Sequence, residues 1–247
     1  MTEPSYLMRK NRPGLAYIHT PGSAPPVMFL GGFMSDMHGT KATFMEGQCR
    51  MRGQEFLRFD YSGHGLSEGK FADGTIGLWK EDTLAVFDHM IKSPAVLVGS
   101  SMGGWIALHL ALARPERVQA IIGIAAAPDF TQGMYEEYLT ETQKHEIAEK
   151  GFTEMPSDYG APYIITRALI EDGKRQLLLD RDHDLALPIR LLQGKQDPQV
   201  PWQTVLRIKE RFKMADVEIT FIEDGDHSLS RPEDLALLDR NVISACI

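Results

Sequence analysis

Two segments of the chain match the pattern Gly-x-Ser-x-Gly, in which a sharp turn between a strand and a helix exposes a nucleophilic serine. They lie at residues 65–69 and 99–103. The second follows the apolar run 95–98 and precedes a helix-like run, whereas the first lies in a polar, glycine-rich loop. We therefore predict that Ser101 is a nucleophile and that Ser67 is a loop hydroxyl.

A serine hydroxyl needs a general base, which in this arrangement is a histidine late in the chain, after the acid that orients it. His145, His183 and His227 lie well beyond Ser101, and only His227 follows a late strand-like run, residues 217–222. The short loop 223–226 would bring its ring to the carboxyl edge of a sheet. We predict that His227 is the base.

The acid that orients this histidine has two candidates. Asp197 follows the strand-like run 189–192, and Asp129 follows the run 120–124. We favour Asp197 and keep Asp129 as the alternative, because some proteins with this arrangement carry the acid one strand earlier. Asp224 and Asp226 fit turn positions better than catalytic ones.

Backbone N–H groups that stabilise an oxyanion come from the residue after the nucleophile and from the loop after an early strand. Met102 is the first candidate. Phe33 is the second, because it follows the run 26–30 and Gly31-Gly32, where the missing side chains allow a tight bend. A triad of this kind requires neither a cofactor nor a metal.

Strands and helices must position these residues, and the sequence predicts them as short apolar runs separated by helix-length segments. Most runs are continuous rather than alternating, which is typical of strands buried on both faces of a parallel sheet. We predict an α/β fold with a mostly parallel central sheet and helices on both faces. The strand-like runs are residues 15–18, 26–30, 55–59, 95–98, 120–124, 189–192 and 217–222, and the helical segments are 75–92, 102–113, 202–212 and 231–245.

Residues 131–187 interrupt this alternation, because no strand-like run separates ordinary helices there. The segment contains 12 acidic and 6 basic residues, so its net charge of −6 accounts for most of the chain's −8. We predict that it is a lid inserted into a single domain that spans residues 1–247.

Six longer runs are long enough to be specific: Gly32-Phe33-Met34-Ser35, His38-Gly39-Thr40-Lys41-Ala42, Arg58-Phe59-Asp60-Tyr61-Ser62-Gly63, Val98-Gly99-Ser100-Ser101-Met102-Gly103-Gly104-Trp105, Ala113-Arg114-Pro115-Glu116 and Pro188-Ile189-Arg190-Leu191-Leu192. With these runs the chain resembles the α/β-hydrolase superfamily, and more narrowly its branch of mitochondrial palmitoyl-protein thioesterases that also hydrolyse acyl-glucuronides. The resemblance implies a serine esterase or thioesterase with Ser101, Asp197 and His227 as its triad, and a cap between the sixth and seventh strands.

The lid offers candidate substrate contacts. Its apolar and aromatic side chains are suited to an acyl chain or an aryl group, whereas its negative charge disfavours polyanions such as coenzyme A thioesters. A single anionic group would need an arginine, for which Arg167 and Arg190 are the candidates. The apolar candidates are Tyr135, Tyr138, Phe152, Met155, Tyr159, Tyr163 and Ile164.

The amino-acid composition of the chain restricts the kinds of molecule that it can bind. The chain has 247 residues, 34 acidic and 26 basic, and this negative balance disfavours nucleic acid as a partner. The partners expected are small-molecule or acylated-protein esters and thioesters. Two cysteines, Cys49 and Cys246, form no disulfide framework and fit a reducing compartment.

No signal-peptide run is seen near the N-terminus, and no apolar run reaches the roughly 20 residues needed to span a bilayer. We therefore expect a cytoplasmic location.

Two other functions remain open on sequence grounds. The same triad could cleave a carbon–carbon bond in a diketone-type substrate, or the chain could be a hydrolase-like protein that binds a ligand without turnover.

Overall fold

The computed structural model describes residues 3–156 and 162–247 around a central eight-stranded sheet. The strands of this sheet are β1 (Ser5–Arg9), β2 (Arg12–Thr20), β3 (Ser23–Leu30), β4 (Gln54–Phe59), β5 (Ala95–Ser100), β6 (Val118–Ile124), β9 (Pro188–Gly194) and β10 (Asp216–Ile222). Their order in the sheet is β1-β2-β4-β3-β5-β6-β9-β10. β2 is antiparallel to β1 and β4, and all other neighbours pair in parallel.

Parallel pairing brings the carboxyl ends of six strands to one edge, where the predicted catalytic residues lie. The predicted α/β class with a mostly parallel sheet is confirmed. Strand β1 was not predicted, because its residues are largely exposed and lack a buried apolar run.

The α-helices are α1 (Thr40–Met51), α2 (Ile76–Met90), α3 (Met102–Ala113), α4 (Phe130–Gly133), α5 (Glu141–Lys150), α6 (Arg167–Arg175), α7 (Gln203–Arg211) and α8 (Pro232–Ala245). Helix α1 was not predicted, because its apolar face is interrupted by charged residues and by Gly47.

Helices cover both faces of the sheet, as the alternation of side chains along β5 illustrates. Leu97 packs in the apolar cluster that contains residues of α2, α3 and α7. Val96 and Val98 point to the other face, where they share a cluster with residues of α1 and α8. Burial on both faces explains why this strand reads as a continuous apolar run.

Residues 131–187, the segment that we call the insertion, lie in the chain between β6 and β9, the sixth and seventh strands of the main sheet. It contains helices α5 and α6 and a π-helical turn, Met134–Tyr138. It also contains an antiparallel pair, β7 (Phe152–Met155) with β8 (Tyr163–Thr166). The expectation of no strand here was wrong, because four-residue strands are too short to produce a clear apolar run. Tyr159 lies outside the described residues.

The insertion packs against the sheet domain rather than standing apart from it. The Trp105 indole donates to the carbonyl of Gln176 at 3.2 Å, and the N–H of Gly77 donates to Asp172 at 2.6 Å. Leu169 and Ile170 of α6 are buried in the same apolar cluster as the α2–α3 face of the sheet. The insertion and the sheet therefore share one core.

Among the helices that the structure describes, none has both the length and the apolar character required to cross a membrane.

Candidate active site

Ser101 lies at the turn between β5 and α3 in a backbone conformation that non-glycine residues rarely adopt, with φ 53° and ψ −118°. Its N–H donates to the carbonyl of Ile124 at 2.9 Å, and its own carbonyl accepts from the N–H groups of Gly104 at 2.9 Å and Ala127 at 3.1 Å. Strained backbone of this kind persists only where its surroundings hold it. Here the end of β6, the segment that follows it and the first turn of α3 provide that support.

Glycines around Ser101 allow the strand and the helix to approach closely. A β-carbon at Gly99 would overlap with the carbonyl of Gly103, and one at Gly103 would overlap with the carbonyl of Leu30. A β-carbon at Gly104 would lie 2.6 Å from that of Ala126. Both outer glycines of the Gly-x-Ser-x-Gly pattern are therefore required by backbone contacts.

His227 and Asp197, the predicted base and acid, are in direct contact. Nδ1 of His227 lies 2.8 Å from Oδ2 of Asp197, whose side chain is fully buried. The carboxylate cannot donate when ionised, so Nδ1 carries the proton and Nε2 of the neutral ring is left to accept one. The described hydrogen bonds include none between His227 and the Ser101 hydroxyl, and such bonds often tighten only when substrate is present.

Asp197 is held ionised by its neighbours. Burial raises the pKa of its carboxyl group, whereas the hydrogen bond and charge of His227 lower it. The N–H groups of Gln199 and Val200 also donate to Oδ1, at 2.8 and 2.9 Å. The net result is a pKa below the usual value.

Gln193 also contacts the acid, and sequence reasoning missed it. The side chain is fully buried on β9, and its Nε2 lies 3.2 Å from Oδ2 of Asp197. It also donates to the carbonyl of Gly194 at 3.1 Å. The sequence does contain a signal for it, because Gln193 is a lone amide near the end of an otherwise apolar strand. A polar side chain buried there needs hydrogen-bond partners.

The loop that carries His227 is fixed by Asp226 and Lys41. Asp226 accepts the N–H of Leu229 at 2.9 Å, as its predicted turn role requires. Lys41, from α1, donates to the carbonyl of Ser228. Asp224 pairs with Arg231 at 2.7 Å on the outside of the loop.

The rival acid, Asp129, has other partners. Its carboxylate accepts the N–H groups of Leu178 and Leu179, each at 2.8 Å. These bonds join the segment just before the insertion to the C-terminal part of the insertion. Asp129 therefore helps to hold the insertion in place, while Asp197 contacts the histidine.

The remaining histidines beyond Ser101 lie elsewhere. His183 contacts the carbonyl of Leu178 through Nε2 at 2.8 Å and stacks on Phe212. His145 is exposed on α5 of the insertion.

Ser67, in the other Gly-x-Ser-x-Gly segment, is occupied by backbone contacts. Its hydroxyl donates to the carbonyl of Asp60 at 2.6 Å and accepts the N–H of Ala16 at 2.8 Å. These bonds tie the loop after β4 to strand β2.

The predicted oxyanion donors lie on either side of Ser101. Met102 is the first residue of α3, where N–H groups have no partner within the helix. Gly32 lies against the serine, because a β-carbon there would be 3.5 Å from that of Ser101. In the described part of the chain, the N–H of Phe33 has no hydrogen-bond partner.

Of the predicted substrate contacts, Tyr163 lies beside this site, with its ring centroid 6.1 Å from that of Phe33. Tyr135 lies between Lys144 and Lys174, and Tyr138 and Phe152 are largely exposed. In the small sheet of the insertion, Met155 pairs with Tyr163, and Ile164 pairs with Glu154.

Neither predicted arginine is brought to the site. Arg167 donates to the carbonyls of Ile147 and Ala148 at the end of α5. Arg190 is near the amino end of β9, at the opposite edge of the sheet, where it pairs with Asp216 at 2.8 Å. Both guanidinium groups are therefore engaged away from Ser101.

A sheet of this order, with a strained serine after its central strand and an acid–histidine pair after later strands, defines an α/β-hydrolase fold. Residues 28–153 match the hydrolase family described as serine aminopeptidase, S33. The mouse protein named palmitoyl-protein thioesterase ABHD10, mitochondrial, is 41% identical over 236 residues, covering 95% of this chain and 79% of that protein.

Two solved structures are similar along their whole length. A putative hydrolase from Agrobacterium vitis S4 has a TM-score of 0.93 at 40% identity, covering 100% of this chain and 99% of that one. Mouse alpha/beta hydrolase domain-containing protein 10 has a TM-score of 0.90 at 38% identity, covering 98% of both chains. The chain therefore belongs to the α/β-hydrolase family, as the resemblance of its motifs indicated. It is an enzyme of the hydrolase class.

Proposed function

We propose that this chain is a serine hydrolase that cleaves carboxylic esters or thioesters through an acyl-enzyme at Ser101. The observation that supports this most directly is the 2.8 Å hydrogen bond between His227 and the buried Asp197, at the sheet edge that carries Ser101. The relatives named as thioesterases support the same class of reaction.

In the proposed mechanism, Nε2 of His227 takes the proton of the Ser101 hydroxyl as the oxygen attacks the substrate carbonyl. The tetrahedral intermediate carries a negative oxygen, which accepts the N–H groups of Phe33 and Met102. His227 then protonates the leaving alcohol or thiol, and a water molecule activated by the same ring releases the acid. Asp197 keeps the proton on Nδ1 throughout.

For the substrate, we propose an ester or thioester whose acyl chain or aryl group is carried by a small molecule or by a protein. The insertion's net charge of −6 disfavours polyanionic leaving groups. Tyr163, packed against Phe33, offers an apolar surface beside the reacting carbonyl. We propose that the insertion acts as a lid in this sense, with its aromatic side chains selecting the acyl group.

The test is labelling with a fluorophosphonate probe, followed by kinetics on esters, thioesters and acyl-glucuronides of graded chain length. We expect Ser101→Ala to abolish labelling and to lower kcat by about 10³-fold or more, because the triad acts as a unit. Turnover of a diketone-type carbon–carbon substrate in preference to all esters would assign the alternative reaction.

Ser67→Ala is the matched control. Loss of its two backbone contacts should lower stability by about 1–3 kcal/mol while labelling and kcat stay near those of the parent. If both variants lost activity equally, Ser101 would not be the nucleophile. A folded parent protein that is neither labelled nor active would support a non-catalytic binding role.

We also propose a cytoplasmic location, which rests on the sequence alone. The mouse thioesterase to which this chain is 41% identical is named as mitochondrial. Fractionation of cells that express the tagged full-length protein decides between the two compartments.

A further inference from the structure

The oxyanion loop, residues 31–36, is held on two sides by side chains outside the proposed triad. The carbonyl of Gly32 accepts both the N–H of Ser35, at 3.2 Å, and its hydroxyl, at 2.9 Å. On the other side of Phe33, the N–H of Met34 donates to Nε2 of His64 at 3.2 Å. The two peptide planes that flank Phe33 are therefore both anchored.

Anchoring these planes fixes where the Phe33 N–H points. A trans peptide is planar, so the carbonyl of Gly32 and the N–H of Phe33 point in opposite directions. Met34 has a φ of 58°, a left-handed conformation that costs a non-glycine residue free energy. A loop that contains such a residue needs contacts that hold it, and His64 supplies one at that residue's own N–H.

His64 is built into the molecule as a fixed, neutral acceptor. Its side chain is buried, and its ring packs edge-on against the rings of Tyr61, Phe71 and Trp79. Nδ1 lies 3.4 Å from the carbonyl of Ser62, so this nitrogen carries the proton and Nε2 presents its lone pair to Met34.

The same aromatic cluster holds the Phe33 side chain. The ring of Phe33 packs against Phe71 at 4.9 Å and Trp79 at 5.9 Å between centroids. Tyr61, which precedes His64 in the loop after β4, also donates its hydroxyl to the carbonyl of Gly31 at 3.2 Å. The loop after β4 is therefore the support on which the oxyanion loop rests.

We propose that His64 is a positioning residue for the oxyanion hole, because its Nε2 holds the N–H of Met34 and so orients the neighbouring N–H of Phe33. This rests on the proposed function, in which the Phe33 N–H binds the oxyanion. Burial supports the assignment, since it lowers the pKa of His64 to about 4 and keeps the ring neutral. An imidazolium would carry a proton on both nitrogens and could not accept the Met34 N–H.

The kinetic test replaces His64 with phenylalanine, which keeps a ring in the cluster and removes the acceptor. We expect His64→Phe to lower kcat by about 10- to 100-fold, less than the loss of an oxyanion donor itself, with KM changed less than about threefold. His64→Gln should restore most of kcat, since its amide oxygen can accept the same N–H. An unchanged kcat in His64→Phe, or a glutamine variant as slow as the phenylalanine one, would overturn the proposal.

His109→Phe is the matched control, because His109 is also a largely buried histidine but contacts the carbonyl of Gln176, away from the oxyanion loop. It should lose thermal stability without losing kcat. Equal kcat losses in the two phenylalanine variants at equal loss of Tm would show a general folding effect and contradict a positioning role.

A second readout needs neither activity nor a stable variant. In the parent protein, ¹⁵N NMR of labelled histidine should show His64 with its proton on Nδ1, and the Met34 amide should exchange slowly with solvent. A proton on Nε2, or rapid exchange at Met34, would overturn the proposal. If Ser101 is unreactive while these signals are as expected, the proposed function is wrong, but the hydrogen bond between His64 and Met34 is supported.

Discussion

Two buried aspartates at the same edge of the sheet differ in which proton donors reach them. Asp197 receives a histidine ring and two backbone N–H groups, which together lower the pKa of its carboxyl. Among the residues that the structure describes, Asp129 receives only backbone N–H groups, and burial raises its pKa. A carboxylate that stays ionised beside a histidine can hold the ring's tautomer and stabilise the imidazolium that forms in the reaction.

This contrast predicts different effects of the same substitution. Asp197→Asn should lower kcat by about 10³- to 10⁴-fold with the fold intact, because an amide can donate to Nδ1 and favours the wrong tautomer. Asp129→Asn should leave kcat within a few-fold and lower the free energy of unfolding by about 1–3 kcal/mol.

Kinetics and urea unfolding of both variants are the measurements. Should Asp129→Asn be the more damaging of the two to kcat, the acid would be assigned to the strand before the insertion instead.

At the scale of elements, the turn at Ser101 depends on glycines for contact distance rather than for flexibility. Gly103 lies on α3 against the carbonyl of Leu30 at the end of β3. Gly47, on the exposed face of α1, has no atom within 4 Å of the position that a β-carbon would occupy. The two helical glycines should therefore respond in opposite ways to the same added methyl group.

We expect Gly103→Ala to destabilise the protein by about 3 kcal/mol or more, because backbone atoms cannot move aside as a side chain can. Gly47→Ala should stabilise it by about 0.5–1 kcal/mol, since alanine restricts the unfolded chain and favours a helix. Thermal unfolding of both variants measures the difference, and a neutral Gly103→Ala would mean that the strand and helix are less closely packed than the structure indicates.

The sequence predicted elements well where burial on both faces left a continuous apolar run, as in β5 and β6. It missed α1, whose apolar residues are separated by charged ones, and the four-residue strands of the insertion. The direction of β9 could have excluded Arg190 from the site, because that residue lies near the start of the strand while Asp197 follows its end.

Contacts between distant loops could not be predicted. Gln193 and Asp197 are four residues apart in the chain, but His64 and Met34 are thirty residues apart and meet because β3 and β4 are neighbours in the sheet. A histidine in a glycine-rich loop gives no indication of which strand lies next to its own. The candidate triad could be predicted from the sequence because each member follows a strand. Its supporting contacts could not, because they depend on the order of the strands in the sheet.

At the scale of the whole molecule, two histidines are kept neutral by burial. Burial lowers the pKa of His64 to about 4, and the pKa of His109 is also lowered to about 4 by burial and by the nearby charge of Lys80. Nε2 of His109 lies 2.9 Å from the carbonyl of Gln176, where α3 meets the insertion. Protonation of His109 is therefore opposed by the packing between the insertion and α3, and protonation of His64 is opposed by the aromatic cluster around its ring.

The consequence is a loss of stability in mild acid. An unfolded histidine has its usual pKa of 6.5 and the folded ones about 4. The unfolded chain therefore binds more protons as the pH falls through this interval. Above pH 6.5, these two histidines should not change the free energy of unfolding. As the pH is lowered from 6.5 to 4, each should decrease it by up to about 1.4 kcal/mol per pH unit.

His109→Gln isolates one of the two contributions, because glutamine can donate to the same carbonyl and does not titrate. Asp60 and Asp129 have raised pKa values and act with the opposite sign, so the difference between variant and parent is the quantity to follow. Urea unfolding at a series of pH values should give a shallower decline for His109→Gln than for the parent between pH 6.5 and 4. Superimposable profiles would show that His109 gains a proton in the folded protein as easily as in the unfolded chain, and that the junction between α3 and the insertion admits water.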